Sequence, residues 1–344
     1  MISTDFAKLL AIYLSRYLPG QRNLSRNTIA SYRDTFKLLL IFSRDKKGIA
    51  PEHLTLAHID EVFVTDFLEW IENARKCGIS TRNQRLAAIH AFSRYVQVEA
   101  PEMLLHCQRI LSIPFKKTGR PAIDHLTPEA LKILLEQPDR TTPDGRRDLV
   151  LLTVLYDTGA RVQELIDLVV NNIRLDAPPI VALTGKGNKT RHVPLMTKTA
   201  KMLSAYLVER HLDTAATRNH VVFYNRQRKK LTRAGILYII GKYVKAARAV
   251  GCSLLPENVT PHSLRHSKAM HLLQANVNLV YIRDLLGHVH VSTTEIYARA
   301  DSEMKRLALE RAYVEVVADD VPTWSDDKDL LGWLQNFCSS QSIM

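Results

Sequence analysis

Apolar residues recur every three or four positions through residues 1–112, and this spacing predicts a bundle of amphipathic helices. One predicted helix begins near Asn27 and carries Phe36 on its apolar face. The next is predicted to start at a Thr65–Asp66 cap and a third at Ser80, because such side chains accept hydrogen bonds from the first turn of a helix. This region is therefore interpreted as an all-helical domain.

Residues 113–126 have no helical periodicity and separate this region from a second predicted domain at 127–317. A helix at 144–157 has apolar residues on almost every side, which is typical of a core helix. Two strand-like runs within 178–195 flank a glycine turn and predict a hairpin, and a short strand is predicted at 221–224. The predicted fold class is mainly α, with a small antiparallel β-sheet or hairpin in the second domain.

Charge and cysteine usage narrow the class of protein. The 344 residues carry a formal net charge of +12, which favours a polyanionic partner. Only the tail, residues 318–344, is acidic, and it contains a short amphipathic stretch. The four cysteines form no CxxC pair, which indicates reduced thiols in a cytoplasmic protein. No stretch approaches the ~18 apolar residues that a membrane-spanning helix needs.

Residues 260–299 hold the candidate chemistry. Thr260 and a following proline predict a helix start, and His262 and Arg265 then share one face near the helix N-terminus, where donors and the helix dipole favour a phosphate. His288 follows a second predicted helix that ends at a glycine. Tyr297 lies on a third short helix, and its hydroxyl, held near a phosphate, could act as a nucleophile.

These residues also have simpler interpretations. A histidine and an arginine three residues apart are most often an ordinary helix surface, and a lone tyrosine is most often a half-buried core residue. The histidines form an alternative set of metal ligands, since His262 and His266 have i, i+4 spacing. The glutamate of an HExxH motif and a supporting cysteine pair are missing from the sequence, and we therefore predict no metal site.

Four separated motifs together resemble one family. PHSLRHS is followed by LLGH and by a tyrosine nine residues after that histidine. Upstream, TGARVQEL contains Arg161 and Glu164, and TGKGNKTRHVPL contains Lys186. In this order the motifs resemble the tyrosine recombinases, which include the phage integrases. The resemblance is strong from about residue 125 to 315 and only architectural before that.

The resemblance implies a catalytic mechanism. Arg161 and Arg265 would bind the scissile phosphate, and Tyr297 would attack it to form a 3′-phosphotyrosyl ester. Lys186 would protonate the leaving 5′ oxygen. Two histidines complete the implied set, with His262 assisting proton transfer at the tyrosine and His288 bonding the phosphate. Glu164 would orient Arg161, and no metal or other cofactor is implied.

The resemblance also implies a two-domain DNA clamp, in which a helical core-binding domain and the catalytic domain close around double-stranded DNA with inverted-repeat core sites. Each protomer of a homotetramer would hold half a site, and off DNA the protein would be a monomer or dimer. An accessory recombinase or a host DNA-bending protein is a further possible partner, and a nucleoid-associated cytoplasmic location follows. The tail would fold back on its own domain or dock onto a neighbouring protomer. Predicted DNA contacts are Arg82, Arg85, Lys116, Lys117, Arg120, Lys189, Arg191, Arg228, Lys229 and Lys230.

The biological role stays open at this point. Integration, excision or transposition of a mobile element is favoured, and resolution of chromosome dimers is the alternative. A type IB topoisomerase shares the chemistry, but it relaxes supercoils and does not exchange strands. A DNA-binding module with a dead site is disfavoured, because all six residues of the implied catalytic set are present.

Overall fold

The computed structural model describes residues 4–119, 124–185, 187–251, 254–288 and 292–300, together with residues 329 and 332. The chain divides into two compact units, Met1–Pro121 and Ala122–Met344, and the division falls inside the segment predicted as a linker. The predicted site residues Lys186 and Arg120 lie outside the described residues, as does the tail apart from two positions. In the described part, no helix is both long and apolar enough to cross a membrane.

The first unit is a helical bundle with an aromatic core. Its helices are α1 (Asp5–Ile12), which continues as a π-helix (Tyr13–Gln21), α2 (Arg26–Lys47), α3 (Glu61–Asn73), α4 (Ile79–Glu99) and α5 (Leu104–Leu111). Phe92 of α4 packs edge to face against Phe6 of α1, with ring centroids 5.8 Å apart, and against Phe36 of α2 at 5.1 Å. Aromatic pairs of this kind bury large areas and fix the helices relative to one another.

The predicted start of α3 at Thr65–Asp66 is wrong. The helix begins four residues earlier, where the Asp60 side chain accepts a hydrogen bond from the backbone N–H of Phe63 at 2.7 Å. Val64 lies inside the helix and is fully buried with Phe67. Thr65 and Asp66 are therefore part of the second helical turn, and the N-cap residue is Asp60, which precedes the first buried residue of the helix.

The second unit combines helices with one small sheet. Its helices are α6 (Pro128–Glu136), α7 (Pro143–Thr158), α8 (Val162–Ile166), α9 (Thr197–Glu209), α10 (Arg233–Ala249), α11 (Pro261–Gln274), α12 (Leu279–Leu286) and α13 (Ser292–Ala300). Helix α7 packs against α9 and α11, and its Leu151, Leu152 and Leu155 are fully buried, which confirms it as a core helix. The predicted fold class, mainly α with a small antiparallel sheet, is confirmed.

The sheet has the order β1 (Ile173–Arg174), β2 (Ile180–Thr184) and β3 (Thr190–Pro194), with antiparallel neighbours. The predicted hairpin is β2–β3, in which Val181 faces Val193. The predicted strand at 221–224 is wrong. Val222 is buried, but the run pairs only through two isolated bridges, Val221 with Val169 and Tyr224 with Lys230, so its apolar character reflects burial and not a sheet ladder.

Candidate active site

The predicted site residues of the second unit lie where helices begin or end. Arg161 is the N-cap residue of α8, just after α7 ends. Arg265 lies early in α11, which Thr260 caps as predicted by accepting a hydrogen bond from the third helical residue. His288 directly follows the glycine that ends α12, and Tyr297 lies in α13. Helix ends leave backbone groups without intrahelical partners, so they can hold polar side chains in place.

Arg265 is held by the ends of two helices. Its side chain is buried, and Nη1 and Nη2 each donate to a backbone carbonyl at 2.6 Å, those of Gly159 after α7 and Leu286 at the end of α12. Carbonyls at helix C-termini carry partial negative charge, which suits a guanidinium. Burial and the nearby positive charges of Arg161 and Arg191 lower the pKa of Arg265 to about 10, so it remains charged at neutral pH.

One buried carboxylate, that of Glu164, organises two more arginines. Glu164 Oε1 accepts from Arg161 Nη1 at 2.8 Å and from Arg191 Nη1 at 2.9 Å. Its Oε2 accepts from the Arg161 backbone N–H and from Arg191 Nη2, both at 2.8 Å. Burial alone would raise the pKa of Glu164, but these hydrogen bonds outweigh it and lower the pKa to about 2. Glu164 thus contacts both the backbone and the side chain of Arg161, and its supporting role stays a prediction.

Arg191 was predicted to contact DNA, and its surroundings do not support that prediction. Its side chain is only 12% exposed, and besides its two bonds to Glu164 it donates from Nε to the Leu285 carbonyl at 2.7 Å. Arg191 thereby ties strand β3 to α8 and to the end of α12. All three nitrogens of its guanidinium, Nε, Nη1 and Nη2, donate to groups inside the unit, so we exclude it from the proposed DNA contacts.

Arg161, Arg191 and Arg265, together with Glu164, form an arginine cluster. Two glycines let the backbone pass close to it. A Cβ on Gly185, at the end of β2, would lie 2.7 Å from Glu164 Oε1. A Cβ on Gly287 would lie 3.0 Å from Arg191 Cδ, and Gly287 also has a φ of +65°, where side chains are disfavoured. Close packing against Glu164 and Arg191 therefore disfavours a side chain at either glycine, and the positive φ disfavours one at Gly287 as well.

Tyr297 is buried, and its hydroxyl lies within hydrogen-bond distance of a histidine. The side chain is 1% exposed, and its Oη lies 2.8 Å from His266 Nδ1. The Tyr297 ring also stacks on His288, with centroids 6.4 Å apart and planes 11° from parallel. Burial raises the pKa of Tyr297, and the charges of Arg265 and Arg161 oppose this shift. From the sequence His266 is a candidate metal ligand only, although its position next to Arg265 on the same helix is a usable signal.

The two histidines of the predicted catalytic set differ in environment. His288 is half-buried, and its Nδ1 lies 3.0 Å from the Oγ1 of buried Thr294. Burial and the nearby arginines lower the pKa of His288 to about 4, so its imidazole is neutral at pH 7. His262 is exposed at the start of α11, with its ring centroid 6.2 Å from that of His266. Among the described residues, no group of three metal-ligating side chains is placed to hold an ion.

The remaining predicted DNA contacts fall into two groups. Arg82 is buried and donates to the Pro114 carbonyl at 3.1 Å, and half-buried Arg85 donates to the Ser31 carbonyl at 3.0 Å, so neither guanidinium supports the prediction. The others described are exposed, although Lys116 pairs with Glu72 and Lys230 with Asp167. Exposed side chains of this second group are Lys116, Lys117, Lys189, Arg228, Lys229 and Lys230.

Family models and known proteins match both units of this chain. A model of the phage integrase family matches residues 124–304, and one of the phage integrase N-terminal SAM-like domain matches residues 13–99. The protein y4rC of Sinorhizobium fredii, named an integrase/recombinase, is 36% identical over 305 residues, which cover 89% of this chain and 91% of y4rC. The tyrosine recombinase XerC of Roseiflexus castenholzii is 34% identical over 293 residues, covering 84% of this chain and 88% of XerC.

Solved structures share the fold. The XerH site-specific recombinase in a post-cleavage complex with its difH substrate superposes with a TM-score of 0.65 at 22% identity, covering 85% of this chain and 82% of XerH. The Tn1549 transposon integrase in complex with transposon right-end DNA gives 0.69 at 16% identity, covering 88% of this chain and 99% of the integrase.

Proposed function

This chain belongs to the phage integrase family of tyrosine recombinases, enzymes that cut and rejoin DNA, and we propose that Tyr297 is its nucleophile. One observation carries the proposal. Arg265 and Arg161 donate to the carbonyls of two consecutive residues at the end of α12, at 2.6 Å and 3.2 Å. The next residue, His288, stacks on the ring of Tyr297. Four separate elements, α8, α11, the end of α12 and α13, thus bring two cations, an imidazole and a phenol close together.

The chemistry follows from the charges of these groups. Arg161 and Arg265 bind the non-bridging oxygens of a phosphodiester, because the guanidinium fork matches a phosphate and stays charged. The Tyr297 oxygen attacks phosphorus, the bond to the 5′ oxygen breaks, and a 3′-phosphotyrosyl ester forms. That ester retains the energy of the broken bond, so rejoining needs no external energy source. By resemblance, Lys186, which lies between β2 and β3 in the sequence, supplies the proton to the leaving oxygen.

A suicide DNA substrate tests the nucleophile. The substrate carries a nick beside the cleavage site, so that cleavage releases a short strand and traps the covalent complex. Wild type is expected to give a protein–DNA band under denaturing conditions, and Tyr297→Phe none. Tyr156→Phe is the matched control, because Tyr156 Oη also lies 2.8 Å from a histidine Nδ1 but belongs to α7 and not to α13. A band that survives Tyr297→Phe contradicts the assignment.

We also propose that the protein moves a mobile element. The support is the likeness to y4rC, which is named an integrase/recombinase. Joining of the two ends of the DNA segment that carries the gene, detected by amplification across the circle junction, is the expected result. Restoration of monomeric chromosomes in a host that lacks its own dimer resolution, without circle formation, would instead assign a Xer-like role.

DNA binding and assembly complete the proposal. The exposed side chains of Lys117, Lys189, Arg228 and Lys229 are proposed to contact phosphates, since exposed cations supply most sequence-independent affinity for DNA.

Two duplexes are proposed to be held by a tetramer, with one protomer on each half-site. Light scattering of the trapped covalent complex tests this, and a mass that corresponds to one protomer on each duplex would exclude the tetramer.

A further inference from the structure

Helix α11 carries a histidine, His266, that contacts the hydroxyl of Tyr297 directly. His266 Nδ1 and Tyr297 Oη are 2.8 Å apart, a hydrogen-bond distance, and the two rings are tilted by 55° with centroids 5.6 Å apart. Tyr297 Oη is the atom that must lose its proton when it bonds to phosphorus. A proton acceptor for such a step must lie within hydrogen-bond reach of the hydroxyl.

Resting on the proposed function above, we infer that His266 is the proton acceptor for Tyr297 during DNA cleavage. As the bond between Tyr297 Oη and phosphorus forms and the bond to the 5′ oxygen breaks, the phenolic proton moves to His266 Nδ1. The imidazole becomes an imidazolium, and the 5′ oxygen takes its proton from a separate donor. In the reverse step the 5′ hydroxyl attacks the phosphotyrosyl ester, and the imidazolium returns its proton to the tyrosine oxygen.

The environment of His266 keeps it neutral before the reaction. Burial and the positive charges of His262 and Arg265 on the same helix, together with His125 before α6, lower the pKa of His266. A neutral imidazole has a free lone pair on one ring nitrogen and can accept the phenolic proton. The same surroundings favour proton return, because an imidazolium in a buried, positively charged place is a ready acid.

Helix α11 makes a second histidine–tyrosine contact, between His271 and Tyr156. His271 Nδ1 lies 2.8 Å from Tyr156 Oη, and its Nε2 donates to the Leu126 carbonyl at 2.9 Å. This pair ties α11 to α7 and to the chain before α6. It joins the same two groups at the same distance as the His266 pair, but among the described residues Tyr156 has no counterpart of the two arginines whose charges act on Tyr297. His271 is therefore a matched control for a purely structural histidine–tyrosine contact.

The first experiment measures single-turnover cleavage of the suicide substrate. His266→Asn keeps a hydrogen-bond acceptor near the Nδ1 position, but an amide is not a base. We expect His266→Asn to slow cleavage by about 10²-fold, the usual contribution of a general base, with DNA affinity and Tm unchanged. His271→Asn should lower Tm and leave the cleavage rate of the folded protein near that of wild type. Cleavage by His266→Asn at the wild-type rate overturns the inference and leaves the proposed function intact.

A fluorinated tyrosine at position 297 separates proton transfer from mere placement of the ring. Its hydroxyl ionises more readily, so it depends less on a proton acceptor. The defect of His266→Asn is expected to shrink with fluorotyrosine, whereas a defect caused by a displaced ring would stay the same and overturn the inference. If wild type forms no covalent complex, or the complex survives Tyr297→Phe, the proposed function fails and the inference fails with it.

The wild-type protein supplies a check if His266 variants do not fold. In ¹⁵N-histidine-labelled protein, the ring resonances that move on Tyr297→Phe include those of His266. An Nδ1 without a proton that accepts a hydrogen bond is the expected state. An Nδ1 that carries a proton would make His266 a donor to Tyr297, which contradicts the inference.

Discussion

Arg82 in the first unit and Arg265 in the second are both buried arginines near the start of a helix, yet their surroundings differ. Arg82 donates to one backbone carbonyl and to its neighbour Asn83, and among the described residues its Nε has no hydrogen-bond partner. Arg265 has Arg161 and Arg191 close by, with Glu164 as the carboxylate that serves these two.

This difference in charge is what we propose distinguishes the phosphate site from other buried arginines of the protein. Three guanidiniums and one carboxylate leave two positive charges in a largely buried place, where like charges repel more strongly than they do in water. A phosphate relieves that repulsion. A single buried arginine bonded to carbonyls gains nothing comparable from an anion, so burial of a cation near a helix start is not sufficient.

The sharpest test of this comparison removes one arginine from each unit. Arg161→Ala is expected to lower the single-turnover cleavage rate by about 10²–10³-fold, the usual effect of losing a donor to a developing negative charge. The fold should persist, because the Arg161 side chain is 35% exposed. Arg85→Ala, in the first unit, should change Tm and leave the cleavage rate of bound DNA near that of wild type. Equal losses of cleavage in both variants would break the comparison.

Neutralising the shared carboxylate tests whether Glu164 holds the cluster together. Glu164→Gln leaves Arg161 and Arg191 without a charged partner, and breaking a buried pair in this way costs about 3–5 kcal/mol of unfolding free energy. Chemical denaturation at neutral pH measures the loss. A variant as stable as wild type would show that repulsion within the cluster is small.

The same variant has a pH signature. Hydrogen bonds from Arg191 and Arg161 lower the pKa of Glu164 to about 2 in the folded protein, although burial acts in the opposite direction. A lowered folded-state pKa stabilises the protein above the ordinary carboxyl range, about 4.3 for Glu, and this contribution is lost as the pH falls toward about 2. The Tm difference between wild type and Glu164→Gln should therefore narrow in acid. A constant difference would assign the effect to packing.

Arg191 gives a smaller effect that separates placement from DNA contact. Arg191→Met removes the link between β3, Glu164 and the Leu285 carbonyl, so both Tm and the cleavage rate should fall. The cleavage rate should fall by less than in Arg161→Ala, and Tm by less than in Glu164→Gln. The salt dependence of DNA binding should keep the wild-type slope. A shallower slope would restore Arg191 to the DNA contacts.

The smallest expected effect belongs to an exposed cation. Lys229→Ala should reduce the slope of log K against log salt by about 1, as for the loss of one phosphate contact, and leave cleavage by saturating protein unchanged. Lys132→Ala, at a position not predicted to contact DNA, is the control. An identical slope in wild type and Lys229→Ala would remove Lys229 from the proposed contacts.

Much of the local structure was predictable from sequence. The cap at Thr260, the glycine end of α12 and the β2–β3 hairpin are confirmed, because each depends on a few adjacent residues. The start of α3 and the strand at 221–224 were wrong, because the apolar residues there reflect burial against distant elements. Family resemblance supplied the candidate catalytic residues, whose roles remain proposals.

The sequence by itself determined which residue types stand at which helix ends, and it indicated a basic, mainly helical, two-domain protein of the tyrosine recombinase type. Only the tertiary structure decided which cations are committed inside each unit and which histidine meets Tyr297. Periodicity does not reveal the distant partners of Arg82, Arg191 and His266. The Pro114 carbonyl lies 32 residues from Arg82, and Tyr297 lies 31 residues from His266. The partners of Arg191 lie 27 and 94 residues away. Such contacts depend on which elements pack against each other, and the spacing of residues along one element does not predict that.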